Sequence, residues 1–255
     1  MNLRGAIAIL KNELMRFFRT VLGSILSPVL TTSLYIVVFG AAIGGRMDPS
    51  QFGGTSYGAF IVPGLIMLTL LSESTSNASF GIYMPKFTGA IYELLSAPVG
   101  VAETIIGFVG AAAMKSLIIA AIILATARIF VDYSIAHPIL AMGYIVLVAA
   151  SFALFGFILG LWADGFEKLQ IVPMLILMPL TFLGGTFYSV QMLAEPWSTV
   201  AQLNPIFYLI NGLRWTFTGS SDVPIGLAFG FTMAFLILCV GIIAWIFKTG
   251  WRLRE

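Results

Sequence analysis

The sequence is poor in charged residues, and this scarcity is its most informative feature. Only 9% of the 255 residues are Asp, Glu, Lys or Arg, whereas a soluble domain carries about 25%. Because 59% of the residues are hydrophobic, most side chains cannot face water, and the composition predicts a protein whose main solvent is lipid. The net charge of +2 is also too small to indicate a nucleic-acid partner.

Cysteine and histidine are almost absent. Cys239 and His137 are the single residues of their kinds, which excludes a disulfide framework and argues against a zinc centre or a Cys–His catalytic pair. A phosphate-binding loop is missing too, because the nearest string, GAAAMKS at 110–116, lacks the second glycine and lies in an apolar run. We therefore expect no catalytic residue, no metal and no nucleotide site in this chain.

The N-terminal segment predicts an amphipathic helix over residues 3–18. Apolar side chains recur there at steps of three and four residues, while basic side chains fall mostly elsewhere on the helix. The apolar positions are Leu3, Ile7, Leu10, Leu14, Phe17 and Phe18. Such a helix is typical of the membrane interface, and the alternative is a cytoplasmic extension of the first span. Charges interrupt the segment, so we expect it to be retained rather than cleaved as a signal peptide.

Six longer apolar stretches approach the roughly 20 residues that a spanning helix needs. They lie near 22–45, 58–80, 101–127, 138–162, 169–190 and 224–247. Pro173 and Pro179 predict a kink or partial unwinding of the fifth. The pattern predicts an all-α polytopic membrane protein with one transmembrane domain over 1–255, comprising the interfacial helix, a six-helix bundle at 22–247 and a cytoplasmic tail at 248–255.

The distribution of Lys and Arg predicts the orientation of the bundle. If the first span starts from the cytoplasm, nine of the 13 basic residues face inside and three face outside, with Lys115 inside the third span. Both termini are then cytoplasmic.

The connection between the fifth and sixth spans predicts a re-entrant helical hairpin on the outer side. It is too polar to span and too apolar for a free loop, and it suggests helical pieces at 193–203 and 206–216 that break at Asn204-Pro205. Irregular backbone at membrane depth is tolerated only where protein buries it or water reaches it.

Glu73 and Lys115 are charged residues within predicted spans. Such residues are costly in lipid and tend to face an interior or a water-filled path, so either could touch a substrate, or the two could pair. The alternative for Glu73 is a position near a helix end, where water solvates it.

Three pairs of glycines with a four-residue spacing allow close helix packing, either at a dimer interface or within one bundle. They are Gly40/Gly44, Gly156/Gly160 and Gly226/Gly230.

Two short cytoplasmic segments are candidate contact surfaces. Pro85 can begin a helix and Pro98 can end one, so residues 87–96 between them predict a short helix with apolar anchors. This helix could dock a soluble partner or pack against its own bundle. In the second segment, 163–168, Asp164 is a candidate N-cap for the helix that follows.

Several strings resemble the permease subunit of type-2 ABC exporters, the ABC-2 group that includes nodulation-factor, drug and polysaccharide exporters. FIVPGLIM at 60–67 is similar to the second span of that family, and IYELLSAPV at 91–99 is similar to its first coupling segment. PLTFLGGTFYSV at 179–190 and LNPIFYLINGLRW at 203–215 resemble its fifth span and outer hairpin. The resemblance covers essentially the whole chain.

The resemblance implies a transport subunit in a bacterial inner membrane rather than an enzyme. Two copies of the chain would enclose a path through membrane lipid for a lipid-like, glycolipid or hydrophobic substrate. Two ABC ATPase subunits would bind on the cytoplasmic side and carry ATP and Mg²⁺. Candidate coupling residues are Phe87, Ile91, Tyr92, Glu93, Leu94, Leu95, Asp164 and Glu167. Candidate path residues are Glu73, Lys115, Phe182, Phe187, Tyr188 and Tyr208.

Three alternatives remain open at this point. A polysaccharide exporter would have the same architecture. A secondary transporter driven by ions often has inverted repeats, and no repeat is evident in the sequence. A membrane enzyme acting on lipid would need convergent acid, base or metal groups, which the scarcity of His, Cys and paired carboxylates disfavours.

Overall fold

The computed structural model describes residues 2–19, 21–52, 54–96 and 98–250, and within them every regular element is helical. The α-helices are α1 (Leu3–Arg19), α2 (Val21–Tyr35), α3 (Tyr57–Thr88), α4 (Ile91–Ser96), α5 (Val101–Phe130), α6 (Pro138–Trp162), α7 (Phe166–Ile171), α8 (Met178–Leu183), α9 (Trp197–Leu203), α10 (Pro205–Thr218) and α11 (Ile225–Thr249). Most of the predicted tail, 251–255, lies outside the described residues.

The described chain contains six helical stretches that are long and apolar enough to cross a membrane, as predicted. They are Val21–Arg46, Tyr57–Thr88, Val101–Phe130, Pro138–Trp162, Phe166–Leu183 and Ile225–Thr249. The fourth has the predicted bounds. The fifth starts earlier than predicted and ends at Leu183 rather than 190, because the glycines at 184 and 185 turn the chain, with Gly185 at φ +87°.

The helix α3 is the centre of the bundle and packs against α5, α6 and α10. Its 32 residues extend over about 48 Å at 1.5 Å per residue, well beyond the roughly 30 Å hydrocarbon core of a bilayer. The prediction that Pro85 begins a new helix is wrong, because α3 continues through Pro85 to Thr88. Tyr83, buried against Leu169 and Ala163, holds this end of α3 in place.

Both the first and the fifth spans leave α-helical geometry. In the fifth span, the segment Val172–Leu177 between α7 and α8 is a π-helix. The proline ring of Pro173 excludes the normal hydrogen bond, and the predicted partial unwinding is confirmed. The first span is π-helical over Ile36–Ile43, which the sequence pattern did not predict. There Gly40 approaches the backbone of Gly58 in α3 closely.

The predicted break in the hairpin is confirmed, because α9 ends at Leu203 and α10 begins at Pro205. Asn204 lies between them and explains the break. Its side-chain oxygen accepts a hydrogen bond from the Ile206 N–H at 3.0 Å, which caps α10. Its side-chain amide donates to the Leu180 carbonyl at 2.5 Å and so joins the hairpin to the end of the fifth span.

The helix α1 packs along the first half of α5. The Asn2 N–H donates to Glu103 Oε1 at 2.6 Å, and Gly107 of α5 leaves room for Ile9. The apolar side chains of Leu3 and Ile7 remain exposed. They would face lipid if α1 lies in the membrane interface, and this placement stays a prediction.

The pair Gly156/Gly160 brings α6 against α3 within one chain. A Cβ atom at Gly156 would lie 2.8 Å from both the Cα and the carbonyl carbon of Thr75, and one at Gly160 would lie 3.0 Å from the Cα of Ser79. Apart from its chain neighbours and the nearby backbone of its own helix, no described atom lies within 4 Å of a Cβ at Gly230. The glycines of α6 therefore serve packing inside the bundle.

We expect Gly156→Leu to destabilise the fold by about 1–3 kcal/mol, because the added side chain must push apart two backbones. Thermal unfolding of the purified protein in detergent measures this loss. Gly230→Leu is the matched control and should unfold at the temperature of the unmodified protein. Equal losses in the two variants would contradict the packing role of Gly156.

Candidate functional site

The two predicted cytoplasmic segments meet through aromatic rings. The ring of Phe87, at the end of α3, lies 5.0 Å from the ring of Phe166 at the start of α7. Tyr83, one turn before Phe87, lies 5.1 Å from the same Phe166 ring. Lys86 Nζ donates to the Leu161 carbonyl at 3.0 Å. These contacts join the two segments.

Part of this aromatic contact remains exposed. Phe87 is 62% exposed and Phe166 is 41% exposed, and Tyr92 of the neighbouring α4 is 61% exposed. We call these three residues the aromatic patch. Phe166 was not among the sequence candidates, although an aromatic residue between Gly165 and Glu167 in a short polar turn was a usable signal.

The other coupling candidates of the first segment divide between surface and interior. Glu93 is exposed, whereas Ile91 is buried in the core and anchors α4. The side chains of Leu94 and Leu95 lie outside the described part of the chain. The predicted continuous helix over 87–96 is wrong, because Gly89 at φ +79° ends α3 and α4 starts at Ile91.

In the second segment, the predicted N-cap role of Asp164 is wrong. Gly165 is the residue that precedes α7, and no side chain caps this helix. Asp164 Oδ2 instead lies 2.6 Å from Lys168 Nζ, while Glu167 is exposed. The capping position requires a side chain next to the first helical N–H groups, and the helix begins one residue too late for Asp164.

A groove between α2, α3 and the fifth span is lined by hydroxyl groups and encloses about 150 Å³. We call it the hydroxyl groove, and its serine and threonine residues are Ser27, Thr31, Thr32, Thr69, Ser72 and Thr181. The Oγ1 atoms of Thr32 and Thr69 are 3.3 Å apart. Glu73 also lines the groove, and Asn77 Nδ2 donates to its Oε2 at 3.1 Å.

Aromatic rings continue from the hydroxyl groove towards the predicted outer side. Tyr35, which lines the groove, lies 6.5 Å from the ring of Phe182 and 5.7 Å from that of Phe187. Phe39 lies 4.6 Å from Phe187. Three of the six path candidates, Glu73, Phe182 and Phe187, thus lie along one polar-to-aromatic surface of α2, α3 and the fifth span.

The remaining path candidates lie elsewhere. Tyr188 and Tyr208 belong to a separate cluster around the hairpin, and Tyr208 stacks on Phe231 at 4.5 Å. Lys115 lines a different cavity from Glu73, and the described residues contain no ion pair between the two. The fold therefore places the path candidates at separate positions, and their role in a path stays a prediction.

Arg214 is a buried residue that the sequence reasoning counted only as an outer-loop charge. Its Nη2 donates to the Gly185 carbonyl at 2.6 Å, and its guanidinium carbon lies 3.9 Å from the centre of the Phe60 ring. Burial lowers the pKa of Arg214 to about 10, and Asp222 opposes that shift, so the side chain stays charged at neutral pH. An arginine inside the apolar stretch FYLINGLRW was the signal that could have identified it.

We expect Arg214→Ala to cost about 1–3 kcal/mol of stability, because it leaves the buried Gly185 carbonyl without its charged donor. Thermal unfolding in detergent measures the loss. The control is Arg128→Ala, which removes exposed contacts with Asp132 and with the Tyr133 carbonyl and should cost at most about 1 kcal/mol. An unchanged unfolding temperature for Arg214→Ala would show that the hairpin does not depend on this contact.

The chain is similar in sequence to known proteins over almost its whole length. The family model described as ABC-2 type transporter matches residues 5–218. The inner membrane transport permease YadH of Escherichia coli strain K12 is 37% identical over 235 residues, which cover 91% of each chain. Nodulation protein J of Rhizobium meliloti strain 1021 is 24% identical over 228 residues, covering 88% of this chain and 85% of the relative. The family match ends with the last residue of α10 and so includes both cytoplasmic segments and the hairpin.

Proposed function

Because the chain belongs to the ABC-2 type transporter family, whose permeases work with an ABC ATPase partner, we propose that it is the permease of an exporter for amphiphilic molecules. Two copies of the chain enclose the path, and two ATPase subunits bind at the cytoplasmic end. The cargo is a lipid-like, glycolipid or other hydrophobic molecule. ATP and Mg²⁺ act on the partner subunits and not on this chain.

The main support for binding of an ATPase is the aromatic patch of Phe87, Tyr92 and Phe166. Exposed aromatic side chains are common anchors of protein interfaces, and these three lie where the positive-inside distribution predicts cytoplasm. Since Phe87 contacts Phe166 directly, one ATPase surface can push both segments together.

The helix α3 transmits this movement of the cytoplasmic segments across the membrane. It begins at Tyr57 and ends at Thr88, so it joins the aromatic patch to the outer hairpin without interruption. At its outer end, the Tyr57 hydroxyl donates to the Phe187 carbonyl at 2.8 Å. A displacement of Phe87 along the helix axis therefore reaches the turn at 184–188.

The hydroxyl groove and the aromatic rings beyond it form one half of the path. Hydroxyl groups and half-buried Glu73 accommodate a polar head, while Phe182 and Phe187 offer apolar surface to the rest of an amphiphile. The second copy covers α2, whose side chains at four-residue steps are exposed along one stripe. This stripe consists of Leu22, Leu26, Leu30 and Leu34.

The experiment that tests this function uses the chain co-purified with candidate ATPase subunits in lipid nanodiscs. Phe87→Ala should weaken ATPase binding by about thirtyfold, the effect of removing an interface anchor worth about 2 kcal/mol. Binding kinetics and the rate of ATP hydrolysis are the two readouts. The matched control is Trp197→Ala, because Trp197 is 60% exposed at the predicted outer end.

Retained binding in Trp197→Ala together with lost binding in Phe87→Ala supports the proposal. The opposite pattern would place the ATPase at the other end of the bundle. Failure of the folded, unmodified chain to bind any ABC ATPase would refute the exporter function altogether.

A further inference from the structure

A second cavity, of about 330 Å³, lies where α1, α2, α3 and α5 meet. Arg16 and Lys115 contribute charge to its lining, and Ser24, Ser76 and Asn77 contribute polar groups. Its volume falls at the lower end of the range of small-ligand sites, about 300–1,000 Å³. The cavity can therefore hold a headgroup but not a whole glycolipid. We call it the basic cavity.

Lys115 is the unusual member of the basic cavity. It is only 4% exposed, yet none of the ion pairs formed among the described residues includes its ammonium group. Its described contact is with the ring of Phe17, at 5.6 Å from the centre. A buried ammonium group is costly unless a partner compensates it, and such a charge inside a membrane span indicates a functional site.

The carboxylates nearby do not fill this partner role. Glu13 Oε2 pairs with Arg16 Nη2 at 2.6 Å and lines a separate cavity. Burial raises the pKa of Glu13, and Arg16 and Lys115 oppose that rise. Glu73 accepts its hydrogen bond from Asn77 and lines the hydroxyl groove. Both carboxylates attract the Lys115 ammonium group electrostatically. The lining of the basic cavity itself contains two cations and no carboxylate.

We propose that the basic cavity binds the anionic headgroup of a phosphate-bearing amphiphile that enters from the inner leaflet. Lys115 Nζ donates hydrogen bonds to the headgroup oxygens, and Arg16 supplies the second positive charge. Asn77 and the serines at 24 and 76 complete the polar lining. The acyl chains remain in the bilayer beside α1 and α2.

The position of the cavity fits this occupant. Met84, which also lines it, is two residues before Lys86, a residue predicted to face the cytoplasm. The neighbouring helix α1 carries Arg4, Lys11 and Arg19 in addition to Arg16, and basic side chains at the cytoplasmic leaflet attract anionic lipid. The proposed cargo route would start here, and in that respect the inference rests on the proposed function. The binding itself does not need the ATPase.

The test measures binding of dioleoyl phosphatidylglycerol and dioleoyl phosphatidylcholine to the purified, delipidated full chain by native mass spectrometry. We expect the first phosphatidylglycerol to bind about tenfold more tightly than phosphatidylcholine, a difference of about 1.4 kcal/mol. Lys115→Met should abolish this preference, and Lys115→Arg should keep it. The matched control is Lys11→Met, because Lys11 is exposed on α1 outside the basic cavity and the substitution removes the same charge.

Equal loss of preference in Lys11→Met and Lys115→Met would overturn the inference, since it would indicate diffuse surface charge rather than a site. Displacement of phosphatidylglycerol by an equal concentration of inorganic phosphate would also overturn it, because the site would then belong to a soluble anion. Since no ATPase is present in this assay, a negative result here leaves the exporter function untouched, and a failed ATPase interaction leaves this lipid site untouched.

Discussion

The close approach of other backbones to α3 is the constraint on which the rest of the structure depends. A Cβ atom at Gly156 of α6 would lie 2.8 Å from the Cα of Thr75, and one at Gly64 of α3 would lie 2.8 Å from the Cα of Thr186. In lipid, helices gain little from hydrophobic burial, so association depends on close packing and hydrogen bonds. The glycines supply that packing towards the middle of α3 and near its outer end.

This packing makes α3 the connection between two surfaces to which we assign different functions. Its predicted cytoplasmic end carries Phe87, which touches Phe166. Its predicted outer end carries Phe60, whose ring lies under the guanidinium of Arg214. The fifth span is different, because its π-helical segment at Pro173 interrupts the regular hydrogen bonds. The helix α3 keeps α-helical geometry through its own Pro63 and Pro85, and the hydroxyl groove lies between α3 and the fifth span.

The sequence predicted the spans well because burial in lipid requires long apolar runs, and the fourth span was correct at both ends. Predictions of helix starts and caps from local sequence were wrong where tertiary packing determines the structure. Pro85 did not start a helix because α3 is held on both sides of it, and Asp164 did not cap α7 because Gly165 is the residue that precedes this helix. The sequence also could not show that Lys115 and Glu73, which carry the same signal, line different cavities. Arg214 was overlooked because a charge count assigns it to a loop, whereas the fold buries it.

The central claim is that α3 and the outer hairpin move as one body when the ATPase acts. Spin labels are attached at Thr88→Cys, at the end of α3, and at Ser220→Cys, after α10, in a Cys239→Ser background. Pulsed electron paramagnetic resonance then measures the distance between the two labels. Dilution with unlabelled chain selects pairs within one chain, and ATP hydrolysis shows that the complex is active. The account predicts that ATP changes this distance by less than about 2 Å, the scale of small helix shifts at packed interfaces. A change of about 5 Å or more, the scale of a one-turn slip between helices, would contradict it.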